Sequence, residues 1–336
     1  MTLGEQLIYS RRGRLIEHMY TGHIAVADMS GAQLQYAGSP LTVAYARSAA
    51  KPLQAIALVE RAEAATLQLD EREIAVICAS HSGEALHREA VASILAKIGA
   101  DETALRCGIH QPYNDDEARA LAADGRMPTL LHNNCSGKHA GMLALSRLLQ
   151  ADLGSYDQPS HPVQHMLLDT VADIAGLSPD ELVVGTDGCG APVFGLPLCA
   201  LATAFARLGC PDRLPAERRR ACQTIVRALR REPFYLAGSG RFDTALIHVS
   251  GGRLVGKMGA GGVYALTAPE QRLGVAVKLM NGDMQATYAV VVEALLQLGL
   301  LSDRESRELA EYRRPVLTNH HGTAVGAVEP CFTLRS

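Results

Sequence analysis

Apolar and polar residues alternate in short runs toward both ends of this chain and recur at helical spacing through its middle. Ile24-Ala25-Val26-Ala27 is a short apolar run, Met29-Ser30-Gly31 a turn and Gln33 to Tyr36 a partner run, which together predict a hairpin. Leu53, Ile56 and Ala57 begin an apolar face that predicts a helix continuing over residues 53–66. Ile74 to Ala79 is uniformly apolar and suits a buried strand or a buried helix equally. Helical spacing returns over 84–98, with Leu86, Val91, Ile94 and Leu95 on one side, and again over 141–149 and 161–176. The stretch 107–134 is mixed, broken by Pro112 and Pro128.

Leu182-Val183-Val184 reads as a strand, Leu196 to Leu208 as an apolar helix and Glu217 to Arg231 as an arginine-rich, solvated one. Gly238-Ser239-Gly240 is a flexible joint. Beyond it Ala245 to Val249, Arg253 to Lys257 and Leu273 to Lys278 resemble strands of one sheet, covered by a periodic helix over Ala286 to Leu298. Asn319-His320-His321-Gly322 precedes a run that suits an edge strand. The layout predicts a discontinuous α/β sheet domain from residues 1–83 and 237–336. A mostly helical middle region, 84–236, separates its two parts.

Bulk properties narrow the function. The 336 residues are 48% hydrophobic and 20% charged, which describes a soluble globular protein of enzyme size. A net charge of −3 without a basic stripe argues against nucleic acid. Leu196 to Ala206 is too short to cross a membrane, and Ala286 to Leu301 is interrupted by Glu293 and Gln297. Met1 to Tyr20 carries Glu5, Arg11, Arg12, Arg14 and Glu17 and has no apolar secretory core, so a cytoplasmic location is expected. In that compartment the eight scattered cysteines are reduced thiols or metal ligands.

Chemistry concentrates in Arg47-Ser48-Ala49-Ala50-Lys51-Pro52. A serine and a lysine three apart share one face of a helical turn. A serine hydroxyl attacks only when something takes its proton, and a neutral amine can do so. Pro52 places the pair at a helix start, where free backbone N–H groups could steady an oxyanion. A lone Ser-x-x-Lys is common by chance, and a serine there is equally an ordinary cap. The lysine census raises its weight: of 32 basic residues 27 are arginine, leaving Lys51, Lys97, Lys138, Lys257 and Lys278. In such a chain a lysine marks a site that needs a proton able to leave.

Three further clusters stand out. His132-Asn133-Asn134-Cys135-Ser136-Gly137-Lys138-His139 precedes an apolar helix and packs more chemistry than a cap needs; it reads as a metal site or an anion pocket. Gly185-Thr186-Asp187-Gly188-Cys189-Gly190 follows the Leu182 strand, and Cys189 with Cys135 would suit tetrahedral zinc if the two loops met. Lys257-Met258-Gly259 closes a strand. Ser48-x-x-Lys51, Ser80-x-Ser82 and Lys257-x-Gly259 follow the chain order of the serine β-lactamase and penicillin-binding signature, with the middle motif departing from Ser-Asp-Asn. That order points to acyl transfer at a serine.

These segments, with Cys78 to Glu84, His132 to Met142, Asp187 to Pro192 and Ser239 to Thr244, resemble the asparaginase II family of the rhizobial type. The resemblance spans about residues 8 to 300. It implies an α/β, serine β-lactamase-like fold: a sheet flanked by helices with a helical or mixed middle region. It further implies hydrolysis of L-asparagine to L-aspartate and ammonia, a homodimer and a zinc site. Carried over, Ser48 is the nucleophile and Lys51 its activator; Ser80 and Lys257 form a second pair. Cys135, Lys138 and Cys189 match the metal ligands. Asp187, His139, Arg47 and Arg241 are the expected substrate-binding residues. Gly261 stands where an acidic residue is usual. A glutaminase or another Ser–Lys acyl-transfer amidohydrolase on the same fold is the alternative, and a non-catalytic zinc-dependent binding protein a more distant one.

Overall fold

The computed structural model of the chain describes residues 4–64 and 67–336. Residues 65 and 66, which end the helix expected over 53–66, lie outside the described residues. So do Met1, Thr2 and Leu3 of the charged N-terminal stretch.

The chain opens with β1 (Glu5–Arg12), β2 (Leu15–Asp28), β3 (Gln33–Ala37) and a short β4 (Val43–Tyr45). Six helices follow: α1 (Lys51–Ala64), α2 (Glu71–Ile77), α3 (Ala85–Lys97), α4 (Asp115–Ala123), α5 (Ser136–Leu148) and α6 (Pro162–Ala175). Then come β5 (Val183–Thr186), β6 (Pro192–Pro197), α7 (Leu198–Gly209), α8 (Ala216–Arg231), α9 (Pro233–Leu236) and α10 (Phe242–Val249). The chain closes with β7 (Val255–Gly259), β8 (Val263–Ala268), β9 (Leu273–Leu279), α11 (Met284–Gln297), α12 (Asp303–Glu308), α13 (Ala310–Arg313), β10 (Val316–Thr318) and β11 (Ala324–Pro330).

Contacts divide the chain into two compact units. The sheet unit comprises residues 1–49, 196–210 and 245–336. Its antiparallel sheet runs β10-β11-β1-β2-β9-β8-β7, with β3 also paired to β2. The central pairing of β2 with β9, from Gly22 opposite Leu279 to Asp28 opposite Leu273, joins the two ends of the chain. Helix α7 lies so close to β9 that a Cβ on Gly274 would meet the Ala202 carbonyl oxygen at 1.8 Å. The second unit comprises residues 50–195 and 211–244 and is mostly helical, with β5 and β6 as an antiparallel hairpin. Its core gathers α1, α2, α3, α5, α6 and α8. The expected α/β fold class, a sheet with helices and a largely helical middle region, is therefore present.

Boundaries and some elements differ from the sequence reading. Residues 50–83 and 237–244 belong to the helical unit and 196–210 to the sheet unit, because α1 packs on α5, α6 and α8 while α7 packs on β2, β8 and β9. Ala245 to Val249 is not a strand but most of α10. Phe242, Leu246 and Ile247 are its buried apolar residues, and their helical spacing shows only once Phe242 is counted. Ile74 to Ile77 resolves to helix, since Asp70 and Glu73 form a capping box at the start of α2. In α3 the buried residues are His87, Ala90, Val91, Ile94 and Leu95, leaving Leu86 exposed. Among the described residues, no helix is long and apolar enough to cross a membrane.

Candidate active site

Within the helical unit, three helix ends converge on one amine. Lys51 opens α1, only 1% exposed, and its Nζ lies 2.5 Å from Ala79 O, 3.2 Å from Ser80 Oγ, 3.2 Å from Cys135 Sγ and 3.5 Å from Asn134 O. Ala79 and Ser80 leave the C-terminal end of α2, where the Ser80 amide donates to Leu236 O. Asn134 and Cys135 lead into α5. Helix α5 can come this close because it presents glycine to α2. A Cβ on Gly137 would sit 2.0 Å from the Val76 carbonyl oxygen, and one on Gly141 would meet Ile77 at 2.9 Å.

Two thiols and a second lysine adjoin this amine. Lys138 Nζ lies 3.0 Å from Cys189 Sγ. Asn133 holds the Cys135 loop, accepting from the Cys135 amide at 2.8 Å and donating to Cys107 O and Gly108 O. A hydrogen bond from the Cys189 thiol, with the charges of Lys51 and Lys138, holds Cys135 well below the ordinary thiol range despite its burial. Cys189 moves the opposite way, up, by donating that bond and by burial. Burial alone would push the Lys138 ammonium down; Cys189, Cys135 and Asp187 outweigh it and raise it.

His139 is fully buried, and its Nδ1 lies 2.8 Å from Tyr156 OH, which accepts from the Arg106 amide at 2.8 Å. With the phenol donating to Nδ1, every atom of that chain is satisfied and the His139 proton sits on Nε2. The ring is buried, and burial lowers it from the ordinary histidine value, offset in part by an interaction with the Cys189 thiol. Asp187 caps the β5–β6 turn: its carbonyl accepts from Gly190 N, and its carboxylate from Gly188 N.

Among the described residues no three His, Cys, Asp or Glu side chains converge as a metal site. A metal here therefore requires the Lys138 amine beside the two cysteines. That donor set, two sulfurs and one nitrogen in a buried pocket with one thiol disposed to ionise, fits zinc, provided the ammonium gives up its proton on binding.

Arg241, half-buried, donates to Ser82 Oγ at 3.3 Å and lies over the Tyr113 ring at 5.7 Å. The other face of the sequence motif is held by Glu84, which accepts from the Ser239 amide and hydroxyl, both at 2.9 Å. Tyr113 stacks on His110 at 4.9 Å, and His110 Nε2 accepts from the Asn134 amide at 3.0 Å. His110, Tyr113 and Tyr156 carry no role in the sequence reading. They lie in a mixed, proline-broken stretch and a polar linker, where no spacing singles them out.

The remaining candidates belong to the sheet unit. Ser48 lies on the 3-10 turn Arg47–Ala50 that runs straight into α1, and it is buried. Arg47 starts that turn at φ +51°, a left-handed conformation uncommon for a residue other than glycine. Lys257 lies on β7 at 0% exposure, opposite Ala265, and donates to Met258 O at 3.0 Å. Two residues on, a Cβ at Gly259 would meet Ala46 O at 2.5 Å and Ala49 N at 3.2 Å, so β7 ends against the turn that carries Ser48. The structure thus brings Lys51 together with Ser80 and Cys135, Lys138 with Cys189, and the Ser48 turn with the end of the Lys257 strand.

A buried lysine amine on a serine hydroxyl is the apparatus of an amidohydrolase of the Ser–Lys type. The chain belongs to the L-asparaginase II family, whose profile matches residues 8–330. No curated protein matches it by sequence. Similar solved structures include a β-lactamase from Mycobacterium bovis, 17% identical over 87% of this chain and 95% of that one, with a TM-score of 0.41. A D-alanine carboxypeptidase from Burkholderia cenocepacia is 12% identical over 87% and 92%, with a TM-score of 0.38. Simvastatin synthase from Aspergillus terreus is 12% identical over 77% and 86%, at 0.34.

Proposed function

We propose that this protein is an L-asparaginase, hydrolysing L-asparagine to L-aspartate and ammonia through an acyl-enzyme on Ser48. The family match over residues 8–330 supports the amide substrate, and the burial of Lys51 against Ser80 supports the proton chemistry. In this reading the Lys51 amine, in its neutral form, takes the Ser48 proton as the hydroxyl attacks the side-chain amide carbon. The proton passes to the departing nitrogen, ammonia leaves, and a β-aspartyl ester remains on Ser48. Water then adds to the ester by the reverse proton path. Ser80 and Lys257 share the proton traffic. Arg47 and Arg241 hold the α-carboxylate, with His139 offering its Nε2–H and Asp187 receiving the α-amino group. Cys135, Lys138 and Cys189 would hold zinc, which as a Lewis acid would supply a fixed docking point for substrate oxygen.

Glutamine differs from asparagine by one methylene, worth about 1–3 kcal/mol in an apolar pocket. Fixing both α-groups by charge makes the difference larger, because the amide carbon is then displaced from the hydroxyl. The test is turnover in hydroxylamine. We expect β-aspartyl hydroxamate from asparagine, a strong preference over glutamine, and an acyl adduct on the Ser48 peptide. Rapid ammonia release without hydroxamate would remove the covalent step, equal glutamine turnover would indicate a glutaminase, and an adduct on Ser80 would exchange the two serines.

A further inference from the structure

Ser80 and Cys135 flank the Lys51 amine at 3.2 Å each but come from different elements. Their chain neighbours, His81 and Ser136, are joined directly: His81 Nε2 lies 2.9 Å from Ser136 Oγ. The direction of that bond is fixed by the atoms around it. The Gly83 amide donates to His81 Nδ1 at 3.1 Å, so the imidazole proton must sit on Nε2. Nε2–H then donates to Ser136, whose hydroxyl donates onward to Leu131 O at 3.1 Å. The ring is fully buried, stacked at 5.0 Å on His87, which stacks at 4.7 Å on Phe234 and reaches Phe234 O through its Nε2 at 3.0 Å. It has no room to turn or slide.

A buried imidazole is a costly way to fill a core. It offers something an apolar side chain cannot: an acceptor at one edge and a donor at the other, held rigidly apart. We infer that His81 is a positioning residue, whose bridge from Gly83 to Ser136 sets the separation of the Ser80 hydroxyl and the Cys135 sulfur about the Lys51 amine. Without it the two loops keep their own turns but lose their common spacing, and the amine cannot serve both groups at once. The kinetic side of this inference rests on the proposed amidohydrolase reaction, while its structural side does not.

Two replacements divide the bridge. His81→Asn keeps an acceptor near the Nδ1 position and loses the reach to Ser136, whereas His81→Gln keeps a donor near the Nε2 position and the reach. Two quantities are measured on the full-length protein: kcat and KM for asparagine, and the rate at which iodoacetamide alkylates Cys135, followed by peptide mass. His81→Asn is expected to lose kcat by about 30-fold or more with KM within about threefold, and to alkylate Cys135 at least about fivefold faster. His81→Gln, which keeps the Ser136 contact and gives up the Gly83 one, should lose less than His81→Asn on both measures. Ser136→Ala cuts the bridge from its other end without touching the ring and should reproduce His81→Asn. It also keeps the test open if that variant fails to fold. Equal losses in the Asn and Gln variants would reduce His81 to core filling, and wild-type behaviour of Ser136→Ala would overturn the inference. Were asparagine not the substrate, the alkylation rates alone would still decide it.

Discussion

At the end of α3, Lys97 reaches the Glu73 carboxylate and the Gln68 carbonyl, each at 2.5 Å. At the start of α1, Lys51 is much more deeply buried and meets carbonyls, a hydroxyl and a thiol. Glu73 is itself secured by Ser93 Oγ and the Asp70 amide, so the Lys97 contact is an ion pair with both ends tied down. A carboxylate fixes the charge of its lysine. A hydroxyl does not, because it can give a proton as well as take one. In the proposed reaction the difference separates a lysine that joins helices from one that exchanges a proton, and Arg should replace the first but not the second.

The largest effect expected from this contrast is on turnover. Lys51→Arg and Lys51→Ala should each lower kcat by about 100- to 10,000-fold, the usual contribution of a general base. Lys97→Arg should leave ammonia release within about twofold. Activity in Lys51→Arg above a tenth of wild type would show that Lys51 serves as a fixed charge, and the contrast would collapse.

A smaller effect is expected at the sulfurs. Elemental analysis of protein purified without chelators should find one zinc per chain, absent from the Cys135→Ser/Cys189→Ser double variant. Chelation should raise KM by about 10- to 100-fold and lower kcat less, the outcome expected if the proposed metal docks substrate rather than activates the hydroxyl. A wild-type protein without zinc would leave the two cysteines as partners of Lys51 and Lys138 only.

The smallest effect extends the contrast to groups buried without charge. Burial pushes His81 well below the ordinary histidine value and lowers His87 as well, with Lys51, His110 and His132 opposing a charge on the first, and Arg241 and Arg88 on the second. Glu84 and the Phe234 carbonyl offset part of the shift at His87. Above about pH 6.5 both rings are neutral folded or unfolded, and stability is unaffected by them. Below it the unfolded chain takes up protons that the native state refuses, so stability falls toward the lower folded values, at up to about 1.4 kcal/mol per pH unit for each ring. Urea unfolding at pH 7.5 and 5.5 measures the loss. His87→Phe should show a shallower dependence, and an unchanged slope would mean that His87 does not contribute.

Much of this arrangement was legible before folding, and the missing parts have physical causes. The lysine census pointed to five residues and the motifs around them to Lys51, Lys138 and Lys257; these three are buried, whereas Lys97 is part-exposed in an ion pair. Spacing tied Lys51 to Ser48, whereas the tie to Ser80 and Cys135 depends on three helix ends meeting, which no local pattern encodes. The first half of β2 escaped notice because Leu15, Ile16 and Met19 are exposed, so no buried face imposes alternation there, and β1 because its buried Leu7 and Ile8 are adjacent rather than alternating. Residues 50–83 adjoin the first strands in sequence, but their apolar faces are spent on other helices, and only packing reveals that allegiance.

The close approach of α5 to α2 has a bearing on redesign. Position 137 lies between Ser136 and Lys138, an obvious place to diversify if the pocket were to be widened for a bulkier amide. Any side chain there meets the Val76 carbonyl oxygen, a backbone atom with no rotamer to yield, and a Cβ at Gly141 would press on the Ile77 side chain one turn later. A mutant library at position 137 would return glycine and little else. Useful variation lies instead at His110 and Tyr113, which touch the site through their side chains. The helix that carries the sulfur site thus behaves as a fixed jig, and a new specificity would have to be written on the loop beside it.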